Sequence, residues 1–183
     1  ESVRINIEIL AGLDVDAIVT DCTSCGMAFK TKVSKVFPDD DPMQEKIKPV
    51  SDKFWEATDF LAHLGLVAQP GELKGRYTYH EPCHRGWSPT VDDAPRRLLA
   101  SIPGAELTEM EEPGRCCGAA GTFYLEHREL AEKIRSHKLK DIRETGAEKV
   151  LTQCPVCRFY LEIQLKDQKV VHPLGYLAGA YGL

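Results

Sequence analysis

The sequence contains no apolar run approaching the roughly 20 residues that a membrane-spanning helix needs. No basic leader with an apolar stretch opens the chain, so no secretory signal is expected. The chain starts at Glu1 rather than Met, which leaves targeting open. Positive charge is in deficit: 23 Lys and Arg stand against 28 Asp and Glu, a formal net charge of −5. That balance excludes the basic footprint of a nucleic-acid-binding surface. No glycine-rich loop closes on a Lys-Ser or Lys-Thr pair, so nucleotide phosphate binding is set aside. The remaining composition is ordinary for a globular protein: 183 residues, 43% hydrophobic and 28% charged. It excludes a disordered tail, a collagen-like chain and a disulfide-dense miniprotein, and it suffices for one domain or two small ones with a buried core.

Cysteine is what the chain has in excess. The seven are Cys22, Cys25, Cys83, the vicinal pair Cys116 and Cys117, and Cys154 with Cys157. An odd number, in a chain large enough to need no staples, speaks against a closed disulfide framework. Two C-x-x-C pairs point instead to a metal site or to thiol redox chemistry.

Their placement follows the expected strands. Short apolar or alternating runs predict strands over residues 16–21, 76–80, 105–110, 149–153 and 169–172. Helical patterns cover residues 52–64, 94–101 and 122–145. In the last of these, Leu130, Ala131, Ile134, Leu139 and Ile142 form an apolar stripe, with Gly146 as a natural stop. Strands alternating with helices predict an α/β fold of Rossmann-like layers, a parallel sheet with flanking helices. Every cysteine follows a strand, so all of them gather on the C-terminal rim, where ligands bind in such sheets. A buried cysteine acting as a small hydrophobe suits one isolated case, but not seven at strand exits.

The chain also repeats itself. Residues 15–25 line up with residues 147–157 at an offset of 132, matching Cys22-Thr-Ser-Cys25 to Cys154-Pro-Val-Cys157. Residues 60–62 match 176–178 at an offset of 116, because the first copy carries a longer insert around Asp39 to Pro42. Residues 1–66 therefore read as the C-terminal part of a first repeat and 67–183 as a complete second one. Cys22 and Cys25 would be half of a second site whose other ligands lie upstream.

The complete repeat offers Cys83, 32 intervening residues, Cys116-Cys117, 36 residues, then Cys154 and Cys157. Structural zinc takes four ligands, and a cubane [4Fe–4S] cluster takes one cysteine per iron. Five thiolates are one too many for either. One cysteine is a bystander, or the cofactor is a cluster with a bridging or extra thiolate. Adjacent residues of an extended chain point apart, so Cys116 and Cys117 share a centre only if the backbone turns between Gly114 and Gly118. A helix expected from Thr122 would aim its N-terminus at an anionic centre. Arg115 and Arg158 stand beside ligand candidates, either to neutralise them or as ordinary surface cations.

This pattern resembles the cysteine-rich CCG domain of the B-type and D-type polypeptides of heterodisulfide reductase, and of the iron–sulfur subunits of glycolate, lactate and glycerol-3-phosphate oxidation. The resemblance rests on the five-cysteine spacing with Cys116-Cys117-Gly118 at its centre. It extends to Tyr79-His-Glu-Pro-Cys-His84, Cys117-Gly-Ala-Ala-Gly-Thr122 and Thr145-Gly-Ala147. It implies a [4Fe–4S] cluster, non-cubane in the heterodisulfide reductases, held by Cys83, Cys116, Cys117, Cys154 and Cys157. Some members of the family hold zinc or nothing, and an aerobically prepared sample can lose its cluster. Two such domains usually occur in tandem, often after a ferredoxin-like domain, and no C-x-x-C-x-x-C run of that kind occurs here.

His80 and His84 bracket Cys83 and are candidate proton donors, with a hydrogen-bonded structural histidine as the plainer assignment; His172 ends the fifth strand. Trp55 and Trp87 read as packing residues. Three functions are weighed. The first is an electron-transfer domain of a cytoplasmic oxidoreductase complex, held at the inner face of a membrane where partner subunits require it. Its partner would be a flavoprotein, a quinone or a disulfide substrate. The second is a thiol–disulfide enzyme using one C-x-x-C as a dithiol. The third is a zinc-stabilised assembly module.

Overall fold

The computed structural model describes residues 1–85, Trp87 and 93–183. Its elements run α1 (Ser2–Ala11), β1 (Ile18–Thr20), α2 (Thr23–Met27), a π-helical turn (Ala28–Lys32), a 3-10 turn (Val33–Val36) and α3 (Met43–Asp52). They continue through β2 (Phe54–Glu56), α4 (Ala57–Leu64), β3 (Gly75–Tyr79), α5 (Asp93–Ala100), β4 (Ala105–Leu107), α6 (Phe123–Glu126) and α7 (Arg128–Glu144). The chain ends in β5 (Lys149–Leu151), α8 (Pro155–Glu162), β6 (Lys169–Val171) and α9 (Pro173–Ala180). No helix among the described residues is long and apolar enough to cross a membrane.

The larger sheet is parallel throughout, in the order β4-β3-β5-β6. Successive side chains of a strand face opposite ways, and Val150 and Leu151 enter different cores. Val150 packs with Leu139, Ile142, Leu161 and Val170 beneath α7 and α8. Leu151 packs with Tyr77, Tyr79, Leu99, Tyr176 and Leu177 beneath α5 and α9. Both faces are therefore covered, giving the expected layers. From β3 the chain steps to β4 on one side and then to β5 on the other. The strand order reverses between β3 and β5, and a crevice opens there beyond the C-terminal strand ends.

A second, two-stranded parallel sheet joins β1 to β2. Its core is Ile7, Val33, Met43, Ile47, Val50 and Phe54, with the Phe29 ring stacked on Phe54 at 4.9 Å. This unit repeats local features of β5-β6. Cys22 caps α2 and accepts the Cys25 N–H, as Cys154 caps α8 and accepts the Cys157 N–H. Glu56 caps α4 and His172 caps α9, both at φ −76°, ψ 140°.

Three expectations need correction. Residues 52–64 are not one helix, because Phe54–Glu56 pairs with β1 as a strand before α4 begins. Residues 122–145 break at His127 (φ −126°, ψ 53°) into one turn and a 17-residue helix, so Thr122 opens no long helix toward the cysteines. Leu130 is exposed rather than part of the stripe, and α7 instead buries Arg135, Lys138 and Asp141. Gly146 follows α7 with φ +59°, the left-handed stop anticipated for it.

Candidate metal centre

The five cysteines of the second repeat leave three different strands and meet at the crevice. Cys83 follows β3, Cys116 and Cys117 follow β4, and Cys154 and Cys157 follow β5. The thiols form a continuous series. Cys83 and Cys117 both lie beside Cys116, and Cys157 lies beside both Cys117 and Cys154. All seven cysteines of the chain are free. Cys117, Cys154 and Cys157 are buried, Cys116 is half-buried and Cys83 is exposed, so the series runs from the core to the surface.

The backbone makes this convergence possible. Gly118 adopts φ +92°, and a Cβ there would stand 2.5 Å from the Ala131 carbonyl oxygen. Only glycine combines that angle with so close an approach to α7. The turn lets the Gly118 N–H donate to Cys116 Sγ at 3.3 Å, and the Ala119 N–H reaches Cys117. At the start of α8 the Cys157 N–H donates to Cys154 Sγ at 3.4 Å, joined by the Val156 N–H. The neighbouring Cys117 and Cys83 thiols and the Gly118 amide hold the Cys116 thiol far below its ordinary range. Cys154 is brought down to about 6, chiefly by the Cys157 thiol. The other three are shifted the opposite way by the same crowding, with Cys117 pushed up to about 11 beside Cys116, and Cys157 and Cys83 raised as well. Metal ligation displaces thiol protons, and thiols crowded together in this way are suited to that exchange.

The loop before Cys116 is held from beneath by a buried ammonium. Lys138 Nζ donates to the Glu112 carbonyl at 2.5 Å and the Pro113 carbonyl at 3.2 Å, and pairs with Asp141 at 3.5 Å. Asp141 in turn accepts the Glu111 and Glu112 N–H groups. Nothing in the hydrophobic pattern marks these charged residues, since Lys and Asp are mostly exposed. Arg115 and Arg158 engage in exposed ion pairs with Glu112 and Glu162.

His80 is 1% exposed, and neither ring nitrogen has a hydrogen-bond partner. Its ring lies with the Cys117 and Cys157 Sγ atoms in a group whose ligand atoms are all within 4.8 Å of one another. Burial, aided by the Lys138 charge, drops its pKa to about 3, so the ring is neutral in this environment. The Pro113 carbonyl lies near the ring without forming a well-aligned bond to it. His84 is different: its Nδ1 meets Ser24 Oγ at 2.9 Å, and Ser24 also reaches Cys154 Sγ at 3.8 Å. His172 is structural. Its Nδ1 accepts the Leu174 N–H, which leaves Nε2–H to donate to the Asp21 carbonyl at 2.9 Å.

Cys22 and Cys25 are not in the five-thiol series. They face each other across the first turn of α2, where burial raises the Cys22 thiol to about 11. Ser24 and Thr23 nevertheless tie this segment to the crevice, because Trp87 Nε1–H donates to the Thr23 carbonyl at 2.9 Å. A Tyr79–Gln153–Thr58–Glu56 network, fully buried, links the two sheets behind it.

The cysteine-rich domain family matches residues 1–30 and 77–162. An iron–sulfur protein of Methanococcus maripaludis is 34% identical over 92% of this chain and 31% of its own length. A subunit of the CoM/CoB fumarate reductase of Methanothermobacter marburgensis is 33% identical over 91% of this chain and 32% of its own. Lactate utilization protein A of a Geobacillus species is 32% identical over 86% of this chain and 68% of its own. The chain thus spans about a third of the first two relatives and about two thirds of the third.

Proposed function

From the premise that this chain belongs to the cysteine-rich CCG domain family, we propose that it is an iron–sulfur electron-transfer domain of a multi-component oxidoreductase. Its [4Fe–4S] cluster is held by Cys83, Cys116, Cys117, Cys154 and Cys157. The observation that carries this reading is the single series of five thiols from three strand exits, gathered at the point where the strand order reverses. The donor set fits the group: thiolate sulfur is what iron–sulfur clusters take, and backbone N–H groups already point at three of the five sulfurs. The names of the relatives, an iron–sulfur protein, a fumarate reductase subunit and a lactate utilization protein, agree with it.

The cluster, when bound, supplies one-electron chemistry. The chain's own part is electrostatic. Gly118, Ala119, Val156 and Cys157 amides spread the negative charge of the ligand sulfurs, and the Met110–Tyr160 core excludes water from the buried side. Cys83 and Cys116 face outward, so electrons pass on that side to a flavoprotein, a quinone or a disulfide. We read residues 1–66 as the closing part of a first repeat, with Cys22 and Cys25 contributing to a second site. Seven free cysteines suit a reducing cytoplasm.

Anaerobic reconstitution tests the reading. About four irons and four sulfides per chain are expected, with a broad visible absorption, and Cys117→Ser lowers that loading. One zinc and no sulfide after the same treatment overturns it. A zinc-stabilised module then leads, for which the close approach of His80, Cys117 and Cys157 supplies three ligands.

A further inference from the structure

Resting on the cluster reading above, we infer that His80 donates a ring N–H to a sulfur of the group held by the five cysteines and thereby raises its reduction potential. The His80 backbone is fixed where β3 leaves the sheet, its N–H donating to the Leu151 carbonyl at 2.9 Å. There the imidazole is 1% exposed with both nitrogens unpartnered. A neutral imidazole carries one N–H, and a buried N–H left without an acceptor costs about 1–3 kcal/mol. The nearest oxygen, the Pro113 carbonyl, already accepts from Lys138 Nζ at 3.2 Å and from the Glu81 N–H at 3.1 Å, and it makes no well-formed bond with the ring. The Lys138 ammonium is itself a donor, already committed to the Glu112 and Pro113 carbonyls and to Asp141.

Two sulfur acceptors also lie close to the ring. The ring lies in one group with the Cys117 and Cys157 Sγ atoms, each ligand atom within 4.8 Å of the others. Neither Sγ accepts from the ring as it stands, and sulfur of the bound group would supply the acceptor. Hydrogen bonds to cluster or thiolate sulfur favour the more negative, reduced form, so potential rises with each one. His80 differs from the amides of Gly118, Ala119, Val156 and Cys157 in being a side chain, and is therefore the donor that substitution can remove without rebuilding the backbone. It is a positioning and tuning residue and makes no bond to iron.

The test uses the anaerobically reconstituted chain, beginning with iron and sulfide content of the parent, His80→Leu and His80→Gln. Equal loading in all three is expected. The midpoint potential of His80→Leu then lies below that of the parent, and His80→Gln, which keeps an N–H, lies between them. Electron spin-echo spectroscopy of the reduced parent, with ¹⁵N-labelled histidine, needs no variant and shows one weakly coupled nitrogen. A strong coupling overturns the inference by making His80 a ligand. An unchanged potential in a fully loaded His80→Leu, or no histidine coupling in the parent, overturns it while leaving the cluster reading intact. A parent that takes up neither iron nor sulfide overturns both.

Discussion

The indole of Trp87 lies directly on Gly26: a Cβ built on that glycine would stand 2.1 Å from Trp87 Cζ2. The contact joins α2 of the first unit to the loop that follows Cys83. Gly26→Ala gains helix propensity of about 1 kcal/mol but overpacks the junction, at about 1–3 kcal/mol. Urea unfolding should find a net loss, recovered in part by adding Trp87→Leu. A stabilised Gly26→Ala chain would show that the two units do not need this contact.

Gly118→Ala meets a harder obstacle. Its φ of +92° disfavours any side chain, and the atom in the way is the Ala131 backbone carbonyl rather than a movable side chain. A loss of at least about 2 kcal/mol is expected from the backbone angle and the overlap together. Because the Gly118 turn sets the direction of both Cys116 and Cys117, iron loading should fall even where the protein remains folded. Chemical unfolding and iron content, measured on the same sample, separate the two effects.

Lys138→Met removes a buried ammonium and leaves the buried Asp141 carboxylate without its cation, although the Glu111 and Glu112 N–H groups still donate to it. Breaking such a pair costs about 3–5 kcal/mol, whereas replacing both partners is far milder. The single variant should therefore be less stable than the Lys138→Met, Asp141→Leu double variant. In the single variant Cys116 should also react faster with iodoacetamide, as its loop loosens.

Glu56 gives the pH dependence a sign. Burial raises its pKa, so the neutral acid is favoured in the folded chain. Its contribution is fully present below the ordinary carboxylate range and is lost as pH rises through the higher folded value. Glu56→Gln keeps the oxygen that caps α4 through the Thr58 and Asp59 N–H groups. The variant should match the parent at pH 4 and exceed it at pH 8 in denaturant midpoint. A parent that gains on the variant as pH rises would contradict the assignment.

The strand exits were legible because cysteine marks them and short apolar runs precede them; β3, β5 and β6 each fall where expected. Phe54–Glu56 was hidden because three residues between helical patterns carry no period of their own. The five-thiol set could be read from spacing, but the turn that joins Cys116 to Cys117 depends on a single positive φ at Gly118. Lys138, Asp141 and Arg135 were illegible for a different reason. They are buried against hydrogen-bonding partners from distant segments, and local pattern treats every charge as solvent-facing. Ser24 belongs to the same class, reaching His84 across 60 residues and Cys154 across 130.

The three strand exits that carry the thiols are joined to one another only through long crossovers, never through a tight hairpin. A metal centre held across them would act as a many-armed cross-link, closing loops whose ends the sheet alone leaves to weak local contacts. Oxidative loss of the centre would untie all three exits together while the opposite ends of the strands keep their packing.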